Sequence, residues 1–234
     1  MPSWNIHLAV AKQVNKKYKL EKNSFYLGNL IADVNFNTNL ERKVTHYDTL
    51  VCKECPKELL PNIKEFLKDY KKDIKTSTLL LGYYSHLLTD YFYNKYIFKN
   101  CWVQNNNQEI IGVKLNNGKI KQTNESKILK YYKHQDLENY GKYLFNNNYV
   151  ELPNKFNNIE DLDLLKDNFF KYEDIEKRII YLNSEFKKNS KYSLKEKIFG
   201  IKYKMLTKEK LDELYNECIK FIIKNIDNLF KEFV

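Results

Sequence analysis

The segment between residues 76 and 98 is the most apolar part of the chain, and it limits the possible folds more than any other feature. It contains no proline and is long enough for a helix, but Ser85, His86, Thr89 and Asp90 interrupt it with polar groups. A membrane span needs about 20 consecutive residues that are mostly apolar. We therefore predict a central helix that is surrounded by the other helices of a globular domain.

The remainder of the chain predicts the same helical class. Only 6 of the 234 residues are glycine and 4 are proline, which is too few for a fold with many turns. Helical spacing of apolar residues occurs in Ile6–Lys17, Ser24–Val34, Pro56–Lys72, Thr76–Phe98, Glu125–Leu144, Asp161–Lys188 and Thr207–Phe233, with a polar loop over Asn35–Arg42. Asn117-Gly118 between two alternating segments predicts a small β-hairpin inserted near residues 101–123. We predict an all-α, compact single domain over residues 1–234.

The net charge of +10 comes from 40 basic and 30 acidic residues. The lysines are spread along the chain among acidic residues, which is typical of a solvated surface. No recognition motif indicates nucleic-acid binding, whereas a phosphate-bearing ligand is compatible with the charge. The first residues lack a basic region followed by an apolar stretch, so we expect a cytoplasmic protein.

The chain has one C-x-x-C pair, Cys52 and Cys55. Such a pair can be half of a zinc site or a redox motif. No second pair follows and no βαβ pattern surrounds it, so we predict reduced thiols in a loop.

His86 and Asp90 are the most informative pair of polar residues. At positions i and i+4 of a helix, both side chains project from the same face, here an apolar one. A buried, ionised aspartate is costly unless it is paired, hydrogen-bonded or bound to a metal. No lysine or arginine lies within a helical turn of Asp90, so we expect a metal rather than a basic side chain to neutralise it. A histidine–aspartate hydrogen bond in a helical core is the alternative.

Three more residues have side chains of the kinds that zinc prefers, nitrogen and carboxylate ligands. His7 lies on the first predicted helix, Asp33 follows an apolar segment, and His46 lies after the polar loop. Each of them alone is equally consistent with a structural role. Together with His86 and Asp90 they predict a metal site.

The order of these residues resembles the bacterial zinc-dependent phospholipase C family. The resemblance is carried over residues 1–98 by His7, Gly28-Asn29-Leu30-Ile31-Ala32-Asp33, Thr45-His46 and Gly82-Tyr83-Tyr84-Ser85-His86-Leu87-Leu88-Thr89-Asp90. That family has a helical domain that is shared with the single-strand-specific P1/S1-type nucleases. The resemblance implies that His46, His86 and Asp90 bind one zinc ion.

The resemblance also implies roles for other residues. Asp33 would be a ligand or the general base, and His7 would bind a second metal with Asp90 as a bridge. His134 and Glu138 have the H-x-x-x-E spacing of a further zinc site, although Asp136 is an equally available carboxylate. The family's second histidine and its processed tryptophan terminus have no counterpart here, and Trp4 is not equated with the latter. The expected content is therefore one to three zinc ions.

The function that the resemblance implies is metal-assisted hydrolysis of a phosphate ester, with phospholipid as one substrate class. Three alternatives stay open: a nuclease-like phosphodiesterase with the same metals, a non-catalytic metal-binding domain, and a basic nucleic-acid-binding helical protein. Tyr47, Tyr83 and Tyr84 are expected either to line a substrate pocket or to belong to the core. The sequence does not indicate an oligomeric state.

Overall fold

The computed structural model describes residues 2–33, 41–153, 163–165 and 172–231. It is mostly α-helical with two small antiparallel sheets, which confirms the predicted fold class. The helices are α1 Trp4–Tyr18, α2 Lys22–Ile31, α3 Arg42–His46, α4 Ile63–Tyr70, α5 Thr78–Asn100, α6 Ser126–Asn146, α7 Tyr172–Tyr181, α8 Lys187–Asn189, α9 Leu194–Phe199 and α10 Lys208–Lys231. The strands are β1 Asp48–Cys52, β2 Cys55–Pro61, β3 Trp102–Gln104, β4 Ile110–Lys114 and β5 Ile120–Gln122.

Helix α5 is the central helix that the apolar segment predicts. The Ser77 hydroxyl caps its amino terminus by accepting a hydrogen bond from the Leu80 amide at 3.1 Å. Every residue from Leu79 to Asp90 is buried, because α1, α2, α4 and α10 all pack against this helix. None of the described helices is both long enough and apolar enough to cross a membrane.

Helices α2 and α5 approach each other closely at two glycines. A Cβ atom added to Gly82 would lie 2.3 Å from the carbonyl oxygen of Phe25 and 3.0 Å from the Cα of Gly28. A Cβ atom added to Gly28 would lie 2.1 Å from the carbonyl oxygen of Leu79. The two backbones are therefore in direct contact, which sets the distance between the polar residues that follow each glycine.

The prediction of one helix over Pro56–Lys72 is wrong in its first half. Strand β2 occupies Cys55–Pro61 and pairs with β1, and helix α4 begins only at Ile63. Pro61 lacks the amide that a helix interior needs, and the Asn62 side chain caps the helix that starts after it. Cys52 and Cys55 face each other at the turn of this hairpin as buried, unpaired thiols. They are not in a loop but on paired strands, and they belong to no group of potential metal ligands within the described residues.

The predicted hairpin is confirmed as β4 and β5, and β3 adds a third strand to it. Gly118 in the turn has a φ of 79°, a conformation that favours glycine. The helix predicted over Asp161–Lys188 is described from Tyr172 onward and passes through a π-helical turn at Leu182–Phe186. Its earlier part lies outside the described residues, apart from residues 163–165, and so does most of the loop predicted at Asn35–Arg42.

Candidate metal centre

Four helices bring five of the predicted ligands to one place. Helix α1 supplies His7, α3 supplies His46, and α5 supplies His86 and Asp90, while Asp33 lies just after α2. Single ligand atoms of His7, His86 and Asp90 lie within 4.8 Å of one another, and so do those of Asp33, His46 and His86. His86 thus belongs to both groups.

The His86 ring is fixed in the orientation that a metal ligand requires. Its Nδ1 atom lies 2.7 Å from the carbonyl oxygen of Asn29, so Nδ1 carries the hydrogen and donates it. The Nε2 atom then has a free lone pair, and it is buried without a hydrogen-bond partner. Burial, together with the nearby His7, lowers the pKa of His86 to about 3. The imidazole is therefore neutral at pH 7, the state in which histidine binds metal.

His7 and Asp90 contribute more buried atoms without partners. The Nε2 atom of His7 lies 3.4 Å from Oδ1 of Asp90, and neither atom forms a hydrogen bond. The His7 ring stacks on the His86 ring with centroids 4.1 Å apart. Leaving buried polar atoms unpaired costs about 1–3 kcal/mol each, so a group of such atoms lying close together fits a bound cation.

Asp33 and His46 form the second half of the centre. His46 Nε2 lies 3.0 Å from Asp33 Oδ1. The other Asp33 oxygen accepts a hydrogen bond from the Trp4 indole at 2.9 Å, and Arg178 donates to the Asp33 backbone carbonyl at 2.9 Å. The Arg178 guanidinium also stacks over the Trp4 ring, 4.4 Å from its centroid. Asp33 is therefore held from three sides.

Arg42 corrects the expectation that Asp90 has no basic partner. Its Nη2 atom lies 2.5 Å from Asp90 Oδ2, and its other nitrogens lie 3.1 Å from Asp48 and 3.6 Å from Asp33. Arg42 and Asp90 are 48 residues apart along the chain, so the sequence does not indicate their ion pair. The pair forms because α3 packs beside α5. Arg42 neutralises one oxygen of Asp90, but the other oxygen still faces His7 without a hydrogen-bond partner. The case for a metal thus rests on the unpaired nitrogen and oxygen atoms and no longer on an unpaired charge.

The two aspartates are ionised despite their burial. Burial would raise the pKa of Asp33, but the hydrogen bond and charge of His46 outweigh it, so the pKa lies below its usual range. For Asp90 the effect of burial is likewise outweighed, chiefly by the charge of Arg42. Both side chains therefore offer carboxylate oxygens at neutral pH.

His134 and Glu138 lie outside these two groups of atoms. Both are on α6 and line a cavity of about 320 Å³, which is also lined by Asp33, Trp4 and Lys142. Burial, followed by the charges of nearby basic groups, lowers the pKa of His134 to about 4. Within the described residues, neither side chain belongs to a group of three potential ligands close enough to share a metal. Their assignment as ligands stays a prediction.

The three tyrosines named from the sequence all contact the ring of Phe66 in the core. Tyr83 and Tyr84 are buried, and the Tyr83 hydroxyl donates to the backbone carbonyl of Thr45 next to His46. Tyr47 is partly buried and donates to Asp69 at 3.0 Å. Tyr83 therefore helps to position the His46 segment from within the core.

Comparison with known protein families finds a match for this chain. The sequence model of the family described as zinc dependent phospholipase C matches residues 4–193, which include all seven predicted ligands. The chain belongs to the zinc-dependent phospholipase C family. No curated protein and no solved structure matches the chain.

The residues of this zinc-dependent phospholipase C family member fit the metal that the family name implies. Three imidazoles and two carboxylates are ligand types that zinc accepts. Four of their buried atoms, His7 Nδ1, His7 Nε2, His86 Nε2 and Asp90 Oδ1, form no hydrogen bond. Sequence reasoning missed Arg42 and Arg178, because the contacts that matter join Arg42 to Asp90, 48 residues away along the chain, and Arg178 to Asp33, 145 residues away.

Proposed function

We propose that this protein hydrolyses a phosphodiester bond of a phospholipid, using divalent metal held by His7, Asp33, His46, His86 and Asp90. The observation that carries the proposal is the group of buried, unpartnered ligand atoms beside Asp33, which lines a cavity. Zinc held by these residues would polarise phosphoryl oxygens and lower the pKa of a bound water towards about 7. The family to which the chain belongs supports this reaction class.

Asp33 is the residue that we assign to proton transfer. It is ionised, its side chain is 9% exposed, and it lies at the boundary between the buried centre and the cavity. A carboxylate in that place can orient the attacking water and accept its proton. The hydrogen bond from the Trp4 indole holds one oxygen of Asp33 and so fixes the orientation of its carboxylate.

Arg42 is suited to bind the phosphate of the substrate. Its side chain is 35% exposed, whereas the side chains of Asp90 and His86 are fully buried. A guanidinium presents several donors in a planar arrangement that matches phosphate oxygens. Arg42 therefore combines contact with the centre and access to solvent.

The test is hydrolysis of a chromogenic phosphocholine ester by the purified, zinc-loaded protein, with single-stranded DNA as a parallel substrate. We expect release of phosphocholine, and we expect Asp33→Asn to reduce the rate by at least about 100-fold, the usual contribution of a positioned acid or base. Asp227→Asn, which changes a surface carboxylate paired with Lys17, is the matched control and keeps the wild-type rate.

Other results separate the alternatives. Cleavage of DNA without cleavage of the phosphocholine ester identifies a nuclease-like phosphodiesterase and rejects the phospholipid substrate. Inactivity on both substrates with zinc bound identifies a non-catalytic metal-binding domain. Equal rates for Asp33→Asn and the wild type remove Asp33 from proton transfer.

A further inference from the structure

The segment between α8 and the start of α10 carries an unusual combination of exposed side chains. On the short helix α9, Leu194 is 75% exposed, Ile198 64% and Phe199 70%. Large apolar side chains that are this exposed and adjacent mark an interaction site more often than a bare surface. We name these three residues the apolar ridge.

The apolar ridge lies in a lysine-rich segment of the chain. Six exposed lysines lie within 16 residues of chain: Lys187, Lys188, Lys191, Lys195, Lys197 and Lys202. None of these six forms an ion pair in the described part of the chain, whereas the one acidic residue among them, Glu196, is paired with Lys142. This segment is therefore far more basic than the chain average, in which 40 basic residues face 30 acidic ones.

The exposure of the ridge follows from a well-anchored backbone. Ser193 and Glu196 form a reciprocal capping box at the start of α9. Lys142 on α6 holds Glu196 at 2.9 Å, and Asn139 on the same helix donates to the Lys202 carbonyl at 2.8 Å. The polar side of the segment is thus fastened to α6, and the apolar side has to face outward.

We propose that this segment docks the protein on the surface of an anionic lipid bilayer. A helix that exposes leucine, isoleucine and phenylalanine beside lysines matches a membrane interface: the apolar side chains enter the acyl boundary and the ammonium groups meet acidic headgroups. A second copy of this chain would be repelled by the same six lysines, and a nucleic acid would leave the ridge uncovered.

The position of the segment connects it with the proposed activity. Lys142, which pairs with Glu196 of α9, also lines the cavity that contains Asp33, and so do Asn189 and Ser190. Docking through α9 would therefore bring this cavity close to the lipid headgroups. This consequence rests on the proposed function, but the docking itself does not.

The test is sedimentation with sucrose-loaded vesicles, which requires neither metal nor turnover. We expect the wild-type protein to bind vesicles made of equal parts phosphatidylcholine and phosphatidylglycerol, and not vesicles of phosphatidylcholine alone. The variant Leu194→Ser/Ile198→Ser/Phe199→Ser should bind at least about tenfold more weakly, because each buried apolar side chain contributes strongly. Lys195→Ala/Lys197→Ala should lose about fivefold in affinity per lysine, and added salt should weaken wild-type binding.

Two matched controls make the result specific. Val51→Ser/Leu59→Ser removes exposed apolar residues from the β1–β2 hairpin, and Lys220→Ala/Lys224→Ala removes the same charge from α10; both should bind as the wild type does. All substitutions are at exposed positions, so unchanged thermal unfolding verifies the fold.

Several outcomes would overturn the proposal. These are no binding to the mixed vesicles, equal binding by the ridge variant, or a concentration-dependent dimer that the ridge variant abolishes without any vesicle binding. If the vesicles are bound but the phosphocholine ester is not hydrolysed, the docking surface stands and the proposed function fails.

Discussion

Replacing Gly82 by alanine probes the contact on which the metal centre is built. In an ordinary helix interior, this change stabilises the protein by about 1 kcal/mol, because alanine has the higher helix propensity. Here the new Cβ atom would lie 2.3 Å from the Phe25 carbonyl oxygen and 3.0 Å from the Cα of Gly28. Both neighbours are backbone atoms of α2, so no side-chain rotation can relieve the clash.

The clash should outweigh the gain in helix propensity. Overpacking a core typically costs about 1–3 kcal/mol, and the cost lies at the upper end when two backbones must separate. We expect Gly82→Ala to lower the free energy of unfolding by about 2 kcal/mol. At roughly 2–4 °C per kcal/mol for a chain of this size, Tm should fall by about 4–8 °C.

The same substitution should also weaken metal binding. Asn29 and His86 come one residue and four residues after the paired glycines, and the bond between the Asn29 carbonyl and His86 Nδ1 is 2.7 Å long. Moving α2 away from α5 lengthens this bond and releases the orientation of the imidazole. Urea denaturation and zinc titration calorimetry measure the two effects separately.

Two other substitutions serve as comparisons for Gly82→Ala. Lys220→Ala, at an exposed position on α10, should change the stability by less than about 0.5 kcal/mol. Gly28→Ala should behave like Gly82→Ala, since its Cβ atom would meet the Leu79 carbonyl. A Gly82→Ala protein that is as stable as the wild type and binds zinc equally well would refute the close contact and the reasoning built on it.

Three further predictions follow from single contacts. Arg42→Ala leaves Asp90 without its cation, so the metal-free protein should unfold more easily. Zinc should then raise Tm by more than in the wild type, as a thermal-shift titration can show; an equal rise contradicts the inference that Arg42 and a metal both neutralise Asp90. Trp4→Phe removes the hydrogen bond to Asp33. It should lower kcat in the phosphocholine assay and leave KM nearly unchanged. Burial raises the pKa of Cys101 to about 12, so above about pH 9 its thiol stays protonated in the folded protein and ionises in the unfolded one. The free energy of unfolding should therefore fall as the pH rises above about 9. Alkylation of the Cys101 thiol at pH 8 should be slow unless the protein is unfolded.

The central helix and its polar pair could be predicted because both depend on residues close together in sequence. An apolar run of this length with His86 and Asp90 four residues apart has few structural interpretations. The hairpin at Gly118 could be predicted for the same reason, since a turn is encoded by its own residues.

Other features depend on contacts between distant segments and could not be predicted. Arg42 meets Asp90, 48 residues away, only after α3 has packed beside α5. The β1–β2 hairpin is difficult to predict because the residues after Pro56 also have helical spacing, although Pro61 lacks the amide that a helix interior needs. The apolar ridge was missed because its three residues look like the buried face of a helix until the structure shows that nothing covers them within the described residues.

Anomalous diffraction at the zinc absorption edge, from crystals grown with zinc, tests the central claim most directly. We predict a peak about 2.1 Å from His86 Nε2, with His7, His46, Asp33 or Asp90 completing its ligands. Crystals of His86→Ala should lack that peak. Zinc-soaked crystals with no anomalous peak among these five residues, and with Asp90 bound to Arg42 alone, would contradict the account.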